Sequence, residues 1–482
     1  MSAKGVNGVK FCRNKRVPTY ITGKEELSTA DIVKLLYESE AFTNKYQTNE
    51  DYYFGQHKIL SRIFEDTSKP NNRVVVNYPK YIVSIRTGYF SSSPISFDSE
   101  DKDYLTDMLS LLDDNDFKKV FAELDTYSAI YGHAFLVMYL DEEGDVKLVP
   151  QKPMDWIFIR DNSLEAKPKF AIRYYAWWDD VENQQQYDIE LYTNEEIINY
   201  EGGPTNLEEV GRRPHYFGAL PVIEFCENDS KKGAFEDVIG LIDSYETILS
   251  DSTNLIEYFS DCYLVLTGCD ADENDIAQMK QNRVIVLPEN SDASFLMKNL
   301  NETYNKNTLK SLQEDIFTTA CCPLLNDSSF GSNSSGVAIE YKLYSMQKSI
   351  QNKENDFRKG FNQMFTIIEN ILHIKGRDRR ETKMIMTFIR SNPSNNLTEI
   401  ADSISKLRGT VSNATLLSQL DFVTNVELEK ERLRKEKEED AQFQLKYNMA
   451  LTEQSEGNEA VSDADRALEE NKRSEDNNNY RE

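Results

Sequence analysis

The spacing of hydrophobic side chains changes several times along the chain, and each change marks an element. From Ser28 to about Phe54, Ile32, Leu35, Leu36 and Tyr37, then Phe42 and Tyr46, recur at helical spacing. Tyr81, Ile82, Ile85 and Tyr89 repeat the pattern, after a turn predicted at Pro70-Asn71-Asn72. Pro94–Phe97 reads as extended chain, and helices are predicted over 101–113 and 116–132, the second ending on a glycine. Between Ala134 and Phe225 the period falls to two. Segments beginning at Ala134, Val146, Trp156, Phe170, Tyr187 and Val222 are short, β-branched or aromatic, and read as strands. Asp141-Glu-Glu-Gly fits a hairpin turn. Residues 28–225 therefore read as one α+β domain, and residues 1–24 as a basic, loop-like segment.

From Ala234 the helical period returns through Phe235, Val238, Ile242, Tyr245, Leu249, Ile256 and Phe259. That predicts a rod of roughly 40 Å. An insert follows, with strands predicted at 262–268, 283–288 and 294–297 and a helix at 273–281. Helical spacing resumes over 303–321 and again over 337–374, the longest such pattern in the chain. A strand at 383–390 and helices at 397–407, 412–420 and 426–442 complete the pattern. The acidic remainder offers little to bury and is expected to be disordered.

One stretch breaks the rhythm. Asn326–Gly336 is built of Asn, Asp, Ser and Gly around Phe330, residues that favour turns and pliable loops. Helical patterns flank it, one stopping at Cys321-Cys322-Pro323 and one opening near Val337, with Ser334 or Ser335 as the cap. A polar loop strung between two long helices suits contact with a moving partner.

Charge and chemistry narrow the function. The chain has 482 residues and a formal net charge of −27, from 82 acidic and 55 basic residues. An open surface this acidic does not favour nucleic acid, because affinity there comes from Lys and Arg releasing counterions; the charge reads either as solubility or as a surface that passes polyanions without retaining them, and composition does not choose between the two. The six cysteines show no metal-ligand spacing, and the four histidines lie far apart, so neither a zinc site nor a disulfide framework is indicated. Neither a signal peptide nor an apolar run long enough for a membrane span is evident. No phosphate-binding loop, nucleophile elbow or dinucleotide fingerprint occurs, so no cofactor and no enzymatic activity are expected. Lys342, Lys348, Lys353, Arg358 and Lys359 lie along the longest helix among acidic residues; they read either as a solvated face with i,i+4 pairs or as positive rungs facing a channel.

Four segments, in this order, carry a resemblance: Lys69-Pro-Asn-Asn-Arg-Val-Val-Val-Asn-Tyr-Pro-Lys-Tyr-Ile with Gly88-Tyr-Phe; Ser335-Gly-Val-Ala-Ile-Glu-Tyr-Lys-Leu; Phe388-Ile-Arg-Ser-Asn-Pro; and Ile404-Ser-Lys-Leu-Arg-Gly-Thr-Val-Ser. Over roughly residues 28–446 the chain resembles the portal proteins of tailed bacteriophages, in the branch common among siphophages of Gram-positive hosts. The resemblance implies a portal-type α+β fold. Its parts would be an N-terminal arm (1–27), a mixed α/β wing (28–233), stem helices (234–261 and 300–323) around a small αβ clip (262–299), a tunnel loop (324–336), a long helix with a wing strand (337–393), a helical crown (394–446) and an acidic tail (447–482).

The same resemblance implies a non-enzymatic ring, typically of twelve subunits, at one capsid vertex of the virion, assembled in the bacterial cytoplasm. Double-stranded DNA would pass through it during packaging and ejection. Its partners would be the terminase large subunit, which holds the motor, head-completion or adaptor proteins, and the major capsid and scaffolding proteins; no membrane is involved. Ser328, Ser329, Phe330, Gly331, Ser332 and Asn333 would face the DNA. Lys306, Lys310, Lys342 and Lys348 would be lumen cations, and Asp270, Asp272, Glu273, Lys280, Arg283 and Glu289 a docking surface. The competing readings are an enzyme of the packaging machinery, a nuclease or ATPase, and a monomeric capsid adaptor or scaffold.

Overall fold

The computed structural model describes residues 9–11, 19–66, 69–180, 183–260, 263–268, 272, 291–296, 302–325, 336–376, 383–390, 397–417 and 429–444. The chain divides into two compact units, Met1–Ser394 and Asn395–Glu482.

In the first unit, β1 (Val9–Phe11) and β2 (Tyr20–Thr22) precede α1 (Thr29–Tyr53). α1 starts where the sequence says it should, because Ser28 and Asp31 form a reciprocal capping box. α2 (Tyr78–Phe90) is capped by Asn77 and carries Pro79 in its first turn. After β3 (Ser96–Asp98) come α3 (Lys102–Asp114) and α4 (Phe117–Tyr131). α4 stops at Gly132, whose φ of +93° is left-handed. A Cβ there would stand 2.2 Å from the Lys231 carbonyl oxygen, so only glycine lets the 231–233 segment pass this close.

The strands that follow are β4 (His133–Leu140), β5 (Val146–Gln151), β6 (Trp156–Asp161), β7 (Pro168–Asp179), β8 (Gln184–Tyr192), β9 (Glu196–Gly202), β10 (Glu208–Pro214) and β11 (Val222–Cys226). They form a seven-stranded sheet, ordered β1-β2-β6-β7-β8-β9-β10, and a three-stranded sheet, β11-β4-β5. All pairings in the large sheet are antiparallel except β2 with β6. The expectation of a loop over residues 1–24 is therefore corrected. Tyr20–Thr22 is too short to show a period, and becomes a strand because its partner β6 supplies the ladder. β9 and β10 are also additions: in β9, Ile197 and Ile198 are buried on opposite faces, and β10 has no apolar alternation.

α5 (Ile239–Ser260), β12 (Tyr263–Thr267), β13 (Asp292–Leu296), α6 (Glu302–Thr319) and α7 (Gly336–Ile374) follow. β12 and β13 pair antiparallel. The strand and helix expected between them, at 283–288 and 273–281, lie outside the described residues. The strand expected over 383–390 shortens to β14 (Ile385–Thr387), paired with β3. The core is aromatic-rich where α7 crosses α4 and β11, with Phe121, Phe225, Phe357 and Phe361 all buried. A second cluster packs α1 beneath the large sheet, a third joins α1, α2 and α4 to α5 and α6, and a fourth lies between the two sheets. In the second unit, α8 (Leu397–Leu407) and α9 (Asn413–Leu417) are followed by a helical stretch at 429–444. Among the described residues no helix is long and apolar enough to cross a membrane.

Candidate functional site

The residues on either side of the 326–335 segment are held by polar contacts that apolar periodicity does not foretell. α6 ends in a Schellman motif: the Cys322 N–H donates to the Phe317 carbonyl (3.0 Å) and the Cys321 N–H to that of Thr318 (3.2 Å). Cys321 takes the left-handed position usually given to glycine, at φ +49°. The Leu325 N–H then donates to the Tyr81 hydroxyl at 2.9 Å. Leu324 and Leu325, expected to belong to the pliable loop, are thus tied to α2.

Behind this end lies a buried charge node. The Arg86 guanidinium donates to Glu227 Oε1 (2.7 Å), to Ser349 Oγ on α7 (3.0 Å) and to the Ala320 carbonyl at the end of α6 (3.5 Å). Lys353, one α7 turn further on, donates to the other Glu227 oxygen and pairs with Asp125 of α4 at 2.5 Å. All four charged side chains are at least nine-tenths buried. Two positive and two negative groups leave the node neutral, which is what burial of this much charge demands. Burial alone would raise the Glu227 carboxyl, but Lys353 and Arg86 outweigh it and hold it below its ordinary value. Asp125 goes the other way: burial raises it, and Lys353 offsets only part of the rise. One carboxylate, Glu227, therefore holds both the end of α6 and the body of α7.

α5 is held by a different device. Residues 72–76 run extended along it, and alternate backbone N–H groups donate to side chains one helical turn apart. Asn72 donates to Asn254 Oδ1 (2.6 Å), Val74 to Ser250 Oγ (3.0 Å) and Val76 to Glu246 Oε1 (2.9 Å). Two extended residues advance about 6.6 Å and four helical ones about 6 Å, so the repeats keep step. Glu246 also meets His57 Nδ1 at 2.6 Å, and the Tyr52 hydroxyl donates to Asp243 at 2.5 Å. The turn expected at Pro70-Asn71-Asn72 is replaced by this strap.

A second buried carboxylate, Glu224, organises the space between the sheets. It accepts from His133 Nδ1 (2.8 Å), Arg160 (2.7 Å) and Lys231. Because Nδ1 must donate to a carboxylate, Nε2 accepts from the Tyr46 hydroxyl at 2.6 Å. Burial opposes the charge on Glu224, yet Lys231, His133 and Arg160 hold the carboxyl well below the usual range. His133 is pushed below an ordinary histidine, first by burial and then by Lys231 and Lys45, against the pull of Glu224. The only metal-compatible grouping among the described residues is Asp141, Glu143 and Asp145 in the β4–β5 turn. There Lys147 pairs with Asp141 (3.3 Å) and Lys375 with Asp145 (3.0 Å).

Comparison with known proteins decides the family. Residues 32–442 match the family model described as "Phage portal protein, SPP1 Gp6-like". The chain belongs to this family of phage portal proteins. It is 24% identical over 401 residues to the portal protein of Bacillus phage SPP1, covering 79% of each chain. It is 22% identical over 409 residues to the portal protein of Clostridium phage phiCD119, covering 78% of this chain and 89% of that one. Both hosts are Gram-positive, as the resemblance implied. Among solved structures, a chain from the "Neck of native GTA particle computed with C12 symmetry" aligns at 10% identity and a TM-score of 0.40, over 71% of this chain and 88% of that one. A chain from the "Virion of native gene transfer agent (GTA) particle" aligns at 10% identity and 0.39, over 70% and 87%.

The expected site residues of this portal family member fall unevenly. Ser328, Ser329, Phe330, Gly331, Ser332 and Asn333 lie outside the described residues, as do Asp270, Glu273, Lys280, Arg283 and Glu289; Asp272 is exposed. Lys306 and Lys310 are exposed on α6, Lys310 lying 3.8 Å from Glu314. Lys348 is exposed on α7 and donates to Gln351. The Lys342 side chain is outside the described set. Neither reading offered for the α7 cations holds for Lys353, which is buried in the node because two carboxylates on other elements neutralise it. Arg86, Asp125 and Glu227 were missed. A signal was present for the two cations: Arg86 interrupts the apolar run Ile82, Val83, Tyr89, Phe90, and Lys353 interrupts Met346, Ile350, Phe357. A charge inside an apolar stripe marks a buried ion pair.

Proposed function

We propose that this chain forms a ring at one vertex of the capsid and conducts double-stranded DNA during packaging and ejection. Membership of the portal family over residues 32–442 is the observation that carries this reading. The anchoring described above supports it: α6 and α7 are both held to Glu227, so the 326–335 segment is strung between two fixed posts. Ser328–Asn333 would touch DNA as it passes, by shape and hydroxyl contact, with Lys306, Lys310, Lys342 and Lys348 as sparse cations along the lumen. Sparse cations along the lumen of a chain with net charge −27 would allow a polyanion to slide without being held. Residues 262–299, Asp270, Asp272, Glu273, Lys280, Arg283 and Glu289 among them, would dock the terminase and later the head-completion proteins. The ring, of twelve subunits in this reading, would sit in the virion and seed assembly of capsid and scaffolding proteins around it.

Electron microscopy of the purified chain, paired with a packaging assay, tests the reading. The expected result is a closed ring in the wild type, and in a variant lacking Ser328–Asn333 an intact ring that stalls packaging. Normal genome filling by that variant would reject the loop's role. A wild type that remains single-chain would reject the ring. Metal-dependent DNA cleavage or nucleotide turnover by the pure protein would favour the enzymatic alternative.

A further inference from the structure

We propose that His57 is held as an imidazolium, with a proton on each ring nitrogen, and that this buried cation latches the end of α1 to α5 through Glu246. The latch concerns how α5 is carried and is independent of the ring reading, so its failure would leave that reading untouched.

His57 follows the last turn of α1 and precedes a short 3₁₀ turn, Lys58–Ser61. Its side chain and that of Glu246 are both fully buried. The imidazole stacks on the Tyr52 ring, with centroids 4.6 Å apart. Both of its nitrogens face oxygens: Nδ1 lies 2.6 Å from Glu246 Oε1, and Nε2 lies 2.8 Å from the Tyr52 carbonyl oxygen. A carbonyl oxygen can only accept, so Nε2 carries a proton. Were that the only proton here, the Nδ1 lone pair would point at a carboxylate oxygen with nothing between them. A proton on Nδ1 as well turns that clash into a charge-assisted hydrogen bond. Placing it on Glu246 instead would make Oε1 a donor while it also accepts the Val76 N–H at 2.9 Å. The Tyr52 carbonyl belongs to the last turn of α1, where a helix carries partial negative charge. Both oxygen partners of the ring therefore favour a cation.

Charge makes the same demand. The titratable groups around the ring are Tyr52 of α1, then Lys58, Arg62 and Arg73 in the segment that follows, and Asp243, Glu246 and Asp251 on α5. Lys58 is exposed. Arg62 pairs with Asp251 at 2.7 Å, and Arg73 donates to the Leu60 carbonyl at 2.8 Å. The Tyr52 hydroxyl, raised by burial and then by Asp243, stays neutral and donates to Asp243 at 2.5 Å. Among the described residues no lysine or arginine pairs with Glu246, and its Oε2 is buried without a hydrogen-bond partner. A carboxylate this deep needs a countercharge, and His57 is the group in contact with it that can supply one. Loss of the proton would leave Glu246 uncompensated beside the C-terminal end of α1, so the joint between α1 and α5 loosens as the pH rises. The strap would loosen with it, because the Val76 N–H is held by the same Oε1.

Solid-state NMR of the full chain, with nitrogen-15 in its histidines, reads the protons directly whether or not the chain forms rings. At neutral pH one histidine should show both ring nitrogens protonated, and it should lose one of these protons in Glu246→Gln. A wild type in which every histidine carries a single proton would overturn the assignment, as would a second proton that persists in Glu246→Gln. Hydrogen exchange tests the latch. His57→Leu strands the Glu246 charge, and exchange across residues 72–76 should speed up by roughly 100-fold or more, the ratio that corresponds to breaking a buried pair. Adding Glu246→Gln removes the charge and keeps an oxygen for the Val76 N–H, so the double variant should exchange more slowly than His57→Leu alone. Wild-type exchange in His57→Leu, or a double variant no better protected than the single, would overturn the latch. The spectra of the wild type and of Glu246→Gln decide the protonation even where His57→Leu does not fold.

Discussion

The ring of Phe225 lies where a Cβ on Gly360 would stand, 2.5 Å from its Cε1 atom. α7 can cross β11 this closely because it has no side chain at that point. Phe225 cannot swing aside, since Phe357 and Phe361 each sit 5.0 Å from it, centroid to centroid. Gly360→Ala gains up to about 1 kcal/mol of helix propensity but overpacks a closed core at about 1–3 kcal/mol. Set against the full propensity gain, the expected net is a loss of about 0–2 kcal/mol in denaturant unfolding. Adding Phe225→Leu should restore part of it; a Gly360→Ala chain more stable than wild type would show that the crossing is loose.

The strap on α5 makes a local prediction. Ser250 is fully buried, and its hydroxyl is the acceptor for the Val74 N–H. Ser250→Ala leaves that N–H without a partner, at about 1–3 kcal/mol. Amide exchange at Val74 should speed up by roughly 5- to 150-fold, the same energy read as a ratio, with smaller changes at Asn72 and Val76. Unchanged exchange at Val74 would mean that the strap is not held by this ladder.

How far the sequence foretold this molecule follows from which interactions are local. α1 could be placed to within a residue because Ser28 and Asp31 cap it from inside the same turn. α4 likewise ends on its own Gly132. β2 and β10 could not be found, since a three-residue strand and an edge strand without apolar alternation exist only through their partners. In the node, Arg86 and Lys353 show as charges inside apolar stripes, but their partners were hidden for the same reason: Arg86, Asp125, Glu227 and Lys353 are far apart in the chain, and no spacing relates them. The family was legible because it rests on the order of segments, whereas side-chain placement in its proposed sites depends on contacts with residues distant in sequence.

His133 predicts a pH dependence. Its folded pKa lies below the ordinary histidine value, through burial and then through Lys231 and Lys45, while Glu224 and Tyr46 hold its two nitrogens. Between the folded and unfolded values the unfolded chain binds a proton that the folded chain refuses. Stability is thus full above about pH 6.5 and is lost as the pH falls toward the folded value, by at most about 1.4 kcal/mol per pH unit. The depressed Glu224 acts in the same sense, but its contribution fades only below the ordinary carboxylate range. His215, also lowered by burial, adds to the histidine slope. In urea unfolding from pH 7.5 to 5, His133→Gln should lose stability less steeply than wild type. Parallel curves would show that His133 does not supply the slope.

Lys353 separates two accounts of what fixes α7. If apolar packing alone holds the helix, Lys353→Met, which keeps the chain length and removes a buried charge, should change stability by less than about 1.5 kcal/mol. If the node holds it, the same change leaves Glu227 and Asp125 facing only Arg86, an excess negative charge on side chains at least nine-tenths buried. The loss should then be about 3–5 kcal/mol. Asp125→Asn added to Lys353→Met restores neutrality, because Arg86 and Glu227 remain as a pair 2.7 Å apart. The double variant should therefore be more stable than Lys353→Met alone, and that inversion is something packing cannot produce. Because Glu227 also receives Arg86, and Arg86 reaches the Ala320 carbonyl, the disturbance should travel. Amides at Ala320 and Cys322, on the far side of the 326–335 segment, should exchange faster in Lys353→Met and recover in the double variant. Exchange confined to α7 would mean that the two posts are independent.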